Sequence, residues 1–418
     1  MPEPPLTTTI CDLIDSRKCV DGPASLELFL ILACARASIC PASVGEIGQA
    51  LEQRVDFLKT INLASCHRLA PCVIQQLQQH VAAALPESVV VEFRRWLRAH
   101  TIRNFELTKE LLEILSLLEK SGVDALALKG PVLAQQLYGD LSLREFLDVD
   151  ILVPPSDAWT VMRLLSARGF EPKFTLTRRQ FARFQGGRYD MGLYHAPKRV
   201  LVEVHWALVS PGYTFSPSVQ MVWESIQSVL IAGRSIKTFS AEMQLLCSCL
   251  NQAKHNWWRL GWLMDLAALI HQSPAMDWQQ IQMRAGSFGT ARMIRVSLQL
   301  VQRLFQLTLP GGIAEWVEND VCSRKIAERI LKRLLLVDTT PAQPPALDPL
   351  FRASMESLAD RAFYWFDNAL RPTPLEWALL PLPDSLYALY YPIRVGRLVC
   401  KHTAGRLLAR RTSLPGSA

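Results

Sequence analysis

Two aspartates, Asp148 and Asp150, stand two residues apart in the sequence EFLDVDILV. Side chains alternate between the two faces of a β-strand, so this spacing places both carboxylates on one face and Leu147, Val149 and Ile151 on the other. Two neighbouring carboxylates repel each other, and a divalent cation held between them removes that repulsion. The pair therefore predicts a metal site on a strand, with a solvated strand edge as the alternative.

A third carboxylate belongs to a second predicted strand, in the sequence RVLVEVHWAL. In that strand Val202 and Val204 share one face, whereas Glu203 and His205 share the other. The sequence therefore presents three acids from one small sheet. For His205 two interpretations remain: a neighbour of the metal or base on the acceptor side, and a histidine packed at the end of the sheet.

The elements that must position these acids divide the chain into three predicted parts. Helical periodicity dominates residues 1–121, a period of two dominates residues 122–239, and helical periodicity returns in residues 240–418. We therefore predict an α+β fold in which a small mixed β-sheet core, with helices on one face, is flanked by N- and C-terminal all-helical regions.

Composition sets further bounds. The chain has 418 residues, half of them hydrophobic and a fifth charged, which is typical of an ordered protein with a sizeable core. Its formal net charge of +7 is spread over a long chain, so it indicates no clear nucleic-acid surface, although it suits an anionic ligand.

Cysteine spacing and hydropathy indicate the cellular location to expect for the protein. The ten cysteines include no C-x-x-C pair, so neither a metal cluster nor a disulfide framework is indicated, and a reducing cytoplasm suits them best. The N-terminal sequence does not have the pattern of a signal peptide. The most apolar run, residues 26–35, is about half as long as a transmembrane helix. We therefore expect a cytoplasmic location and no transmembrane segment.

The motifs occur in an order that resembles a known family. Leu128-Lys129-Gly130 is followed by Tyr138, Arg144, the Asp148 to Val153 strand, and Glu203-Val-His205-Trp206. This order resembles the uncharacterised nucleotidyltransferase branch of the DNA polymerase β-like nucleotidyltransferase superfamily. The similarity extends to Ala253-Lys254-His255-Asn-Trp257 with Trp262 through Ala267, and to the Leu-Tyr-Ala-Leu-Tyr-Tyr segment near residue 390, so it covers most of the chain.

The resemblance implies transfer of a nucleoside monophosphate from a nucleoside triphosphate (NTP) to an acceptor, with release of pyrophosphate. It assigns Asp148, Asp150 and Glu203 to two Mg²⁺ ions as catalytic metal ligands. Lys129 and Gly130, at the start of a helix, are expected to bind the phosphates through backbone amides, the helix dipole and the lysine charge. Arg144 is expected to contact the β- and γ-phosphates.

Several of these residues have a second interpretation. Lys129 is also explained as a surface lysine at a helix start, and Arg144 as a partner of Glu145 or Asp140. Lys254 and His255 either contact the nucleotide or acceptor, or only anchor a helical domain over the cleft. The superfamily usually has Gly-Ser or Gly-Gly where this chain has Lys129-Gly130, so the serine hydroxyl that contacts phosphate is missing here.

Three classes of function stay open from the sequence. The first is an active Mg²⁺-dependent, NTP-using nucleotidyltransferase whose unidentified acceptor is a small molecule, a peptide or a protein. A second is an inactive nucleotide-binding or scaffold protein with the same fold, which the atypical Lys129-Gly130 turn supports. The third is an RNA-directed enzyme, for which no clear basic stripe with aromatic residues is found. The three acids favour the first class.

Overall fold

A computed structural model describes residues 26–52, 55–214, 217–336 and 349–400 of the chain. The side chains of Val219, Ala378 and Asp384 are not described. The N-terminal segment in which no signal peptide is predicted lies outside the described residues.

The first part of the described chain is helical, as its apolar periodicity predicts. The last helix of this part is the longest. Its apolar residues recur at spacings of three and four, so they lie on one side of the helix, and this side faces the sheet in the second half of the helix. The helices are α1 Leu26–Ile39, α2 Gly45–Leu51, α3 Phe57–Cys66, α4 Ala70–His80 and α5 Glu87–Lys120, with 3₁₀ turns at Pro41–Val44 and Ala82–Ala84.

The middle part contains a five-stranded mixed sheet and a separate two-stranded hairpin. The sheet order is β1-β2-β5-β4-β3, in which β2 and β5 are parallel and the other neighbours are antiparallel. The elements in chain order are β1 Leu126–Ala127, α6 Pro131–Tyr138, β2 Asp148–Leu152, α7 Ala158–Ala167, β3 Glu171–Pro172, α8 Arg178–Gln185, β4 Asp190–His195, β5 Val200–His205, α9 Val219–Glu224, β6 Ile226–Ile231 and β7 Arg234–Phe239.

The last part is again helical. Its elements are α10 Ala241–Lys254, α11 Leu260–Gln272, α12 Trp278–Ser287, α13 Ala291–Phe305, α14 Gly311–Glu318, α15 Val321–Leu336, α16 Pro349–Ser354, α17 Leu358–Ala369, α18 Pro374–Leu379, a 3₁₀ turn at Asp384–Leu389 and the helical residues 390–400. The predicted α+β fold with a small mixed sheet is confirmed.

Two apolar cores position the central sheet. On one side the valines and isoleucine of β2 and β5 pack against the second half of α5 and against α7. The other large core is continuous from α1 and α4 to α10, α11 and α13, so the two helical regions pack on each other as well as on the sheet. The opposite face of β2 and β5, which carries the acids, lies between these cores.

Among the described residues, no helix combines the length and apolarity needed to cross a membrane.

The β6–β7 hairpin and the short helices α8 and α9 are absent from the sequence prediction. The hairpin of β6 and β7 turns at Ala232 and Gly233, both with positive φ, as two-residue hairpin turns require. The short helix α8 begins with a capping box between Thr177 and Gln180. Both signals are local, and α8 has only eight residues, which is shorter than the window over which apolar periodicity identifies a helix.

Candidate active site

The parallel pairing of β2 and β5 brings the acids together. Asp150 pairs in register with Glu203, and Leu152 with His205. Neighbouring strands are about 4.8 Å apart, so residues in register on one face hold their side chains next to each other. This register therefore places Asp150 and Glu203 side by side on one face of the sheet.

Asp150, Glu203 and His205 form a compact set of ligand atoms. One ligand atom from each lies within 4.8 Å of the other two. The His205 Nε2 atom is 3.0 Å from Asp150 Oδ1 and 3.7 Å from Glu203 Oε2. Burial alone would lower the pKa of His205, but the hydrogen bonds with the two carboxylates outweigh it and raise the pKa to about 9. The imidazolium thus neutralises part of the negative charge.

The two aspartates of β2 have opposite environments. Burial, together with the charges of Asp150 and Glu203, raises the pKa of Asp148 to about 6. Burial would also raise the pKa of Asp150, but Lys129 and His205 hold it well below its usual range. Asp150 is therefore ionised at neutral pH, and Asp148 is the carboxyl whose ionisation a further cation would favour.

The Lys129-Gly130 turn supplies a cation beside Asp150. The Lys129 Nζ atom is 3.8 Å from Asp150 Oδ1 and donates to Asn251 Oδ1 of α10 at 3.4 Å. Gly130 has φ +56°, and a Cβ there would lie 3.5 Å from the carbonyl oxygen of Asp148. That distance is an ordinary contact, so it is the positive φ that favours glycine at the helix start.

A cavity of about 70 Å³ lies between this turn, the end of β5 and helices α10 and α11. It is lined by Lys129, His205, Asn251 and Lys254, and it is large enough for a few ordered water molecules. The Lys254 Nζ atom lies 4.1 Å from the centre of the Tyr189 ring and donates to the carbonyl oxygen of Leu208 at 3.2 Å. Burial, followed by the charge of Lys129, lowers the pKa of Lys254 to about 8.

Arg144 lies at the edge of the same cavity, but its guanidinium is engaged elsewhere. Its Nε atom lies 3.1 and 3.0 Å from the two carboxylate oxygens of Asp265, and its Nη2 atom lies 2.9 Å from Asp265 Oδ2. Tyr138 donates to Asp265 at 2.9 Å. In the structure Arg144 therefore ties the core to α11, and its expected contact with phosphates stays a prediction.

Two arginines outside the sheet that the sequence analysis did not single out face the acids. Arg68 follows α3 in a left-handed conformation with φ 59°, and burial lowers its pKa while the charges of Glu145, Asp148 and Asp150 act in the opposite direction. Arg259 precedes α11, and its guanidinium carbon lies 4.1 Å from the centre of the Trp258 ring. The Nε atoms of both arginines are buried without a hydrogen-bond partner among the described residues. The charge of Asp148 acts to raise the pKa of both arginines, so both guanidinium groups lie near that carboxyl.

The origin of these two arginines explains why they were missed. Arg68 lies in a connection between helices, with no spacing relative to the acids in the sequence. Its position is fixed by the start of α11, where the Gly261 amide donates to the carbonyl oxygen of His67 at 2.9 Å. Arg259 lies two residues after the segment from Ala253 to Trp257, which carries part of the family resemblance, so the sequence offered a signal close to it.

The structure brings five of the predicted site residues together. They are the three acids Asp148, Asp150 and Glu203 and the two cationic residues Lys129 and His205. Gly130 forms the turn beside them, and Lys254 lines the adjoining cavity. His255 instead lies against Trp262, with 5.2 Å between the ring centres. Burial, followed by the charges of Lys254 and Lys129, lowers the pKa of His255 to about 3, so its ring is neutral.

Comparison with known proteins gives one family match and several weak structural similarities. The model of a family described as "Uncharacterised nucleotidyltransferase" matches residues 53–306. No protein of curated function matches the sequence.

Three solved structures are similar to parts of the chain. Lincosamide antibiotic adenylyltransferase LnuA, bound to lincomycin, is 22% identical over 33% of this chain and 83% of its own, with a TM-score of 0.25. Antibiotic-resistance factor ANT(2'')-Ia is 12% identical over 44% of this chain and 92% of its own, with a TM-score of 0.31. An antigenic nucleotidyltransferase-like protein from Paracoccidioides brasiliensis is 16% identical over 50% of this chain and 97% of its own, with a TM-score of 0.30.

Proposed function

The chain is a nucleotidyltransferase that belongs to the uncharacterised nucleotidyltransferase family, and we propose that it moves a nucleoside monophosphate from an NTP to an acceptor with the help of Mg²⁺. In this reaction an acceptor oxygen forms a bond to the α-phosphorus, and the bond from that phosphorus to the pyrophosphate leaving group breaks. The acceptor proton passes to a base. The observation that carries the proposal is the pairing of Asp150 with Glu203 beside Asp148 and a cluster of cations.

The residues present fit a divalent metal. Mg²⁺ prefers carboxylate oxygens and water, and it commonly binds through one or two carboxylates plus substrate phosphates. Asp150 and Glu203 offer oxygens within 4.8 Å of each other, and burial together with the charges of Asp150 and Glu203 raises the pKa of Asp148, so a cation there would favour its ionised form. Asp148, Asp150 and Glu203 would hold the predicted Mg²⁺ ions, whose chemistry is to neutralise charge on the phosphates and on the attacking oxygen.

The chain's own cations suit the triphosphate. Lys129 lies beside Asp150, and Arg68 and Arg259 have buried Nε atoms that lack partners among the described residues. An arginine binds phosphate through two parallel hydrogen bonds, so these side chains would bind and orient the leaving pyrophosphate. The side chain of Glu203 is 32% exposed, compared with 3% for Asp150 and 8% for His205. Glu203 would therefore accept a hydrogen bond from the acceptor hydroxyl.

A small-molecule acceptor is favoured by a neighbouring pocket. This pocket has a volume of about 500 Å³, and its lining includes Leu152, Trp206, Leu208 and Trp223. Leu208 also lines the cavity beside His205, so the two spaces adjoin. Binding sites for small molecules typically have volumes of about 300 to 1,000 Å³ and mainly apolar walls. We infer that an apolar part of the acceptor binds here, within reach of the acids.

The proposal is tested by transfer of label from NTPs. Each of the four NTPs, labelled at the α-phosphate, is incubated with Mg²⁺, the full chain and either the small-molecule filtrate or the protein fraction of a host lysate. We expect one NTP to label a compound in the filtrate, with release of pyrophosphate. Asp150→Asn, which keeps the shape but removes the charge, is expected to abolish labelling. Asp124→Asn, at an exposed aspartate that pairs with Lys237, is the matched control and is expected to retain it.

Each outcome distinguishes the classes of function. Label in the protein fraction would exclude a small-molecule acceptor but leave the transfer reaction intact. Bound NTP without label in either fraction would indicate an inactive nucleotide-binding protein and would contradict the proposal. Unchanged labelling by Asp150→Asn would show that the acids described above are not the catalytic site. The expected cytoplasmic location belongs to the same proposal and is tested by fractionation of the host cell.

A further inference from the structure

Lys254, the last residue of α10, lies on the β4 side of the catalytic acids. Its ammonium lies over the ring of Tyr189, which directly precedes β4. The Lys129-Gly130 turn instead follows β1. In the sheet order β1-β2-β5-β4, the two strands that carry the acids stand between β1 and β4. The acids therefore have one lysine toward each side of the sheet.

The geometry of nucleotidyl transfer makes the β4 side the acceptor side. The attacking oxygen and the leaving pyrophosphate are roughly in line, on opposite sides of the phosphorus that is transferred. The proposed function places the triphosphate at the Lys129-Gly130 turn, beside β1 and β2. The attacking oxygen must then approach from β5 and β4, which is the side of Glu203 and Lys254.

Two contacts fix the Lys254 ammonium at the border of the acceptor pocket. Its Nζ atom donates to the carbonyl oxygen of Leu208 at 3.2 Å and lies 4.1 Å from the centre of the Tyr189 ring. Leu208 lines both the cavity beside His205 and the pocket of about 500 Å³. The ammonium has three donors, so two of them remain for the oxygens of a ligand.

The charge of Lys254 lacks a direct counterion. Among the described residues, Lys254 forms no ion pair, whereas the Lys129 Nζ atom lies 3.8 Å from Asp150. Burial and then the charge of Lys129 lower the pKa of Lys254 to about 8, although the carboxylates of Asp190 and Glu203 act in the opposite direction. A cation in a cavity without a paired anion is unfavourable, and a bound anionic group would relieve that cost.

The acceptor pocket beside this ammonium is uncharged. None of the described residues that line it has a charged side chain. Its wall is mainly apolar and includes Trp206 and Trp223, and its polar side chains are those of Gln185 and Ser218. An acceptor therefore meets an apolar surface in the pocket and a cation at the end that adjoins the acids.

We propose that Lys254 selects the acceptor by binding an anionic oxygen group on it, such as a carboxylate or a phosphate. The apolar part of the same acceptor fills the pocket between Trp206 and Trp223. Lys254 is thus a specificity-determining residue, and an amine at the same place on the acceptor would be repelled. This inference rests on the proposed function, and it narrows the acceptor to a molecule with an apolar body and an acidic group.

The proposal is tested with two probes that share an apolar ring and differ in charge, 2-naphthylacetate and 2-(2-naphthyl)ethylamine. Their binding to the full chain is measured by equilibrium dialysis. We expect the wild type to bind the acetate at least about tenfold more tightly than the amine, through one charge-assisted hydrogen bond. Lys254→Met is expected to weaken the acetate about tenfold and to remove the preference. Lys109→Met, at a lysine whose side chain is 80% exposed, is the matched control and is expected to keep it.

A variant of the pocket wall tests where the probes bind. Trp223→Ala is expected to weaken both probes to a similar extent, because both contain the ring that the pocket would hold. Unchanged binding of the acetate by this variant would place the anion outside the acceptor pocket and contradict the proposal.

Three further outcomes would overturn the proposal. Equal binding of the two probes by the wild type would do so without any variant, and so would a preference for the amine. A preference that survives in Lys254→Met would assign it to another residue. If Lys254→Met weakens a non-hydrolysable NTP analogue and leaves the probe preference unchanged, the anion bound by Lys254 is a phosphate of the nucleotide. Transfer of label by the wild type is measured separately, so failure of the proposed function is distinguished from failure of this inference.

Discussion

Asp150 and Glu203 lie directly opposite each other on two parallel strands. Their ligand atoms are within 4.8 Å of each other, and His205 joins both carboxylates on the same face. Two like charges this close are unfavourable unless cations compensate them. The chain supplies that compensation from Lys129 and from His205 itself.

Lys129→Met removes the ammonium next to Asp150 while keeping most of the aliphatic stem. We expect NTP binding to weaken about ten- to hundredfold, because one hydrogen bond to a charged group contributes about 1.5 to 3 kcal/mol. Binding is measured by isothermal titration with a non-hydrolysable NTP analogue and Mg²⁺. Lys120→Met, at an exposed lysine at the end of α5, is the control. Equal affinities for both variants would show that Lys129 does not contact the nucleotide.

Arg68→Gln tests whether the N-terminal helical region contributes to the site. The buried Nε atom of Arg68 has no partner among the described residues, so its loss costs the fold little. We expect the affinity for NTP to fall about tenfold, through the loss of one charge-assisted contact, with an unchanged or slightly higher free energy of unfolding. Arg95→Gln, at an arginine on the exposed side of α5 whose side chain is 82% exposed, should change neither quantity. A loss of stability without a loss of affinity would make Arg68 a structural residue.

The predictability of the site from sequence differs from residue to residue. The period of two in β2 and β5 was sufficient to predict that Asp148 and Asp150 share a face and that Glu203 and His205 share another. The pairing of those two faces depends on the parallel register of two strands that are far apart in the chain, which no local pattern encodes. The order of motifs supplied that information only through the family resemblance.

Site residues that belong to the helical regions could not be predicted from strand periodicity. Arg68 reaches the acids because the turn at His67 packs on the start of α11, and this contact joins residues almost two hundred positions apart. Likewise, helical periodicity predicted helices in residues 240–418, but periodicity does not say which side of a helix such as α18 faces the protein. The burial of Glu376 by Arg394 decides that orientation, and it is a tertiary interaction.

Gly261→Ala tests the contact that places Arg68. A Cβ at this position would lie 2.7 Å from the carbonyl oxygen of His67 and 2.9 Å from that of Arg68, so the backbone must shift. We expect a loss of about 1 to 3 kcal/mol in the free energy of unfolding, as for other overpacked sites, together with weaker NTP binding. Gly286→Ala, in helix α12 with open space around its Cβ, is expected to stabilise the protein by up to about 1 kcal/mol. Urea unfolding measures both variants.

Asp265→Asn tests the ion pair with Arg144. Both side chains are 10% exposed, and removal of one partner from a buried pair typically costs about 3 to 5 kcal/mol because the other charge remains buried. The double variant Arg144→Met with Asp265→Leu removes both charges and is expected to recover part of that stability, because the Tyr138 hydroxyl still loses its acceptor. If the recovered double variant still binds NTP weakly, Arg144 also contacts the phosphates, as the sequence predicts. Affinity equal to that of wild type would limit Arg144 to its structural role.

The buried histidine His67 predicts a loss of stability in acid. Burial, followed by the charge of Arg259, lowers its pKa in the folded protein from 6.5 to about 4. Between these two pH values the unfolded chain binds a proton that the folded chain does not, so the free energy of unfolding falls as the pH decreases from 6.5. At pH 5 the loss amounts to about 2 kcal/mol. Urea unfolding at pH 7, 6 and 5 should show a smaller decrease for His67→Gln than for His80→Gln, whose histidine is exposed. Identical decreases for both variants would assign the acid sensitivity to other groups.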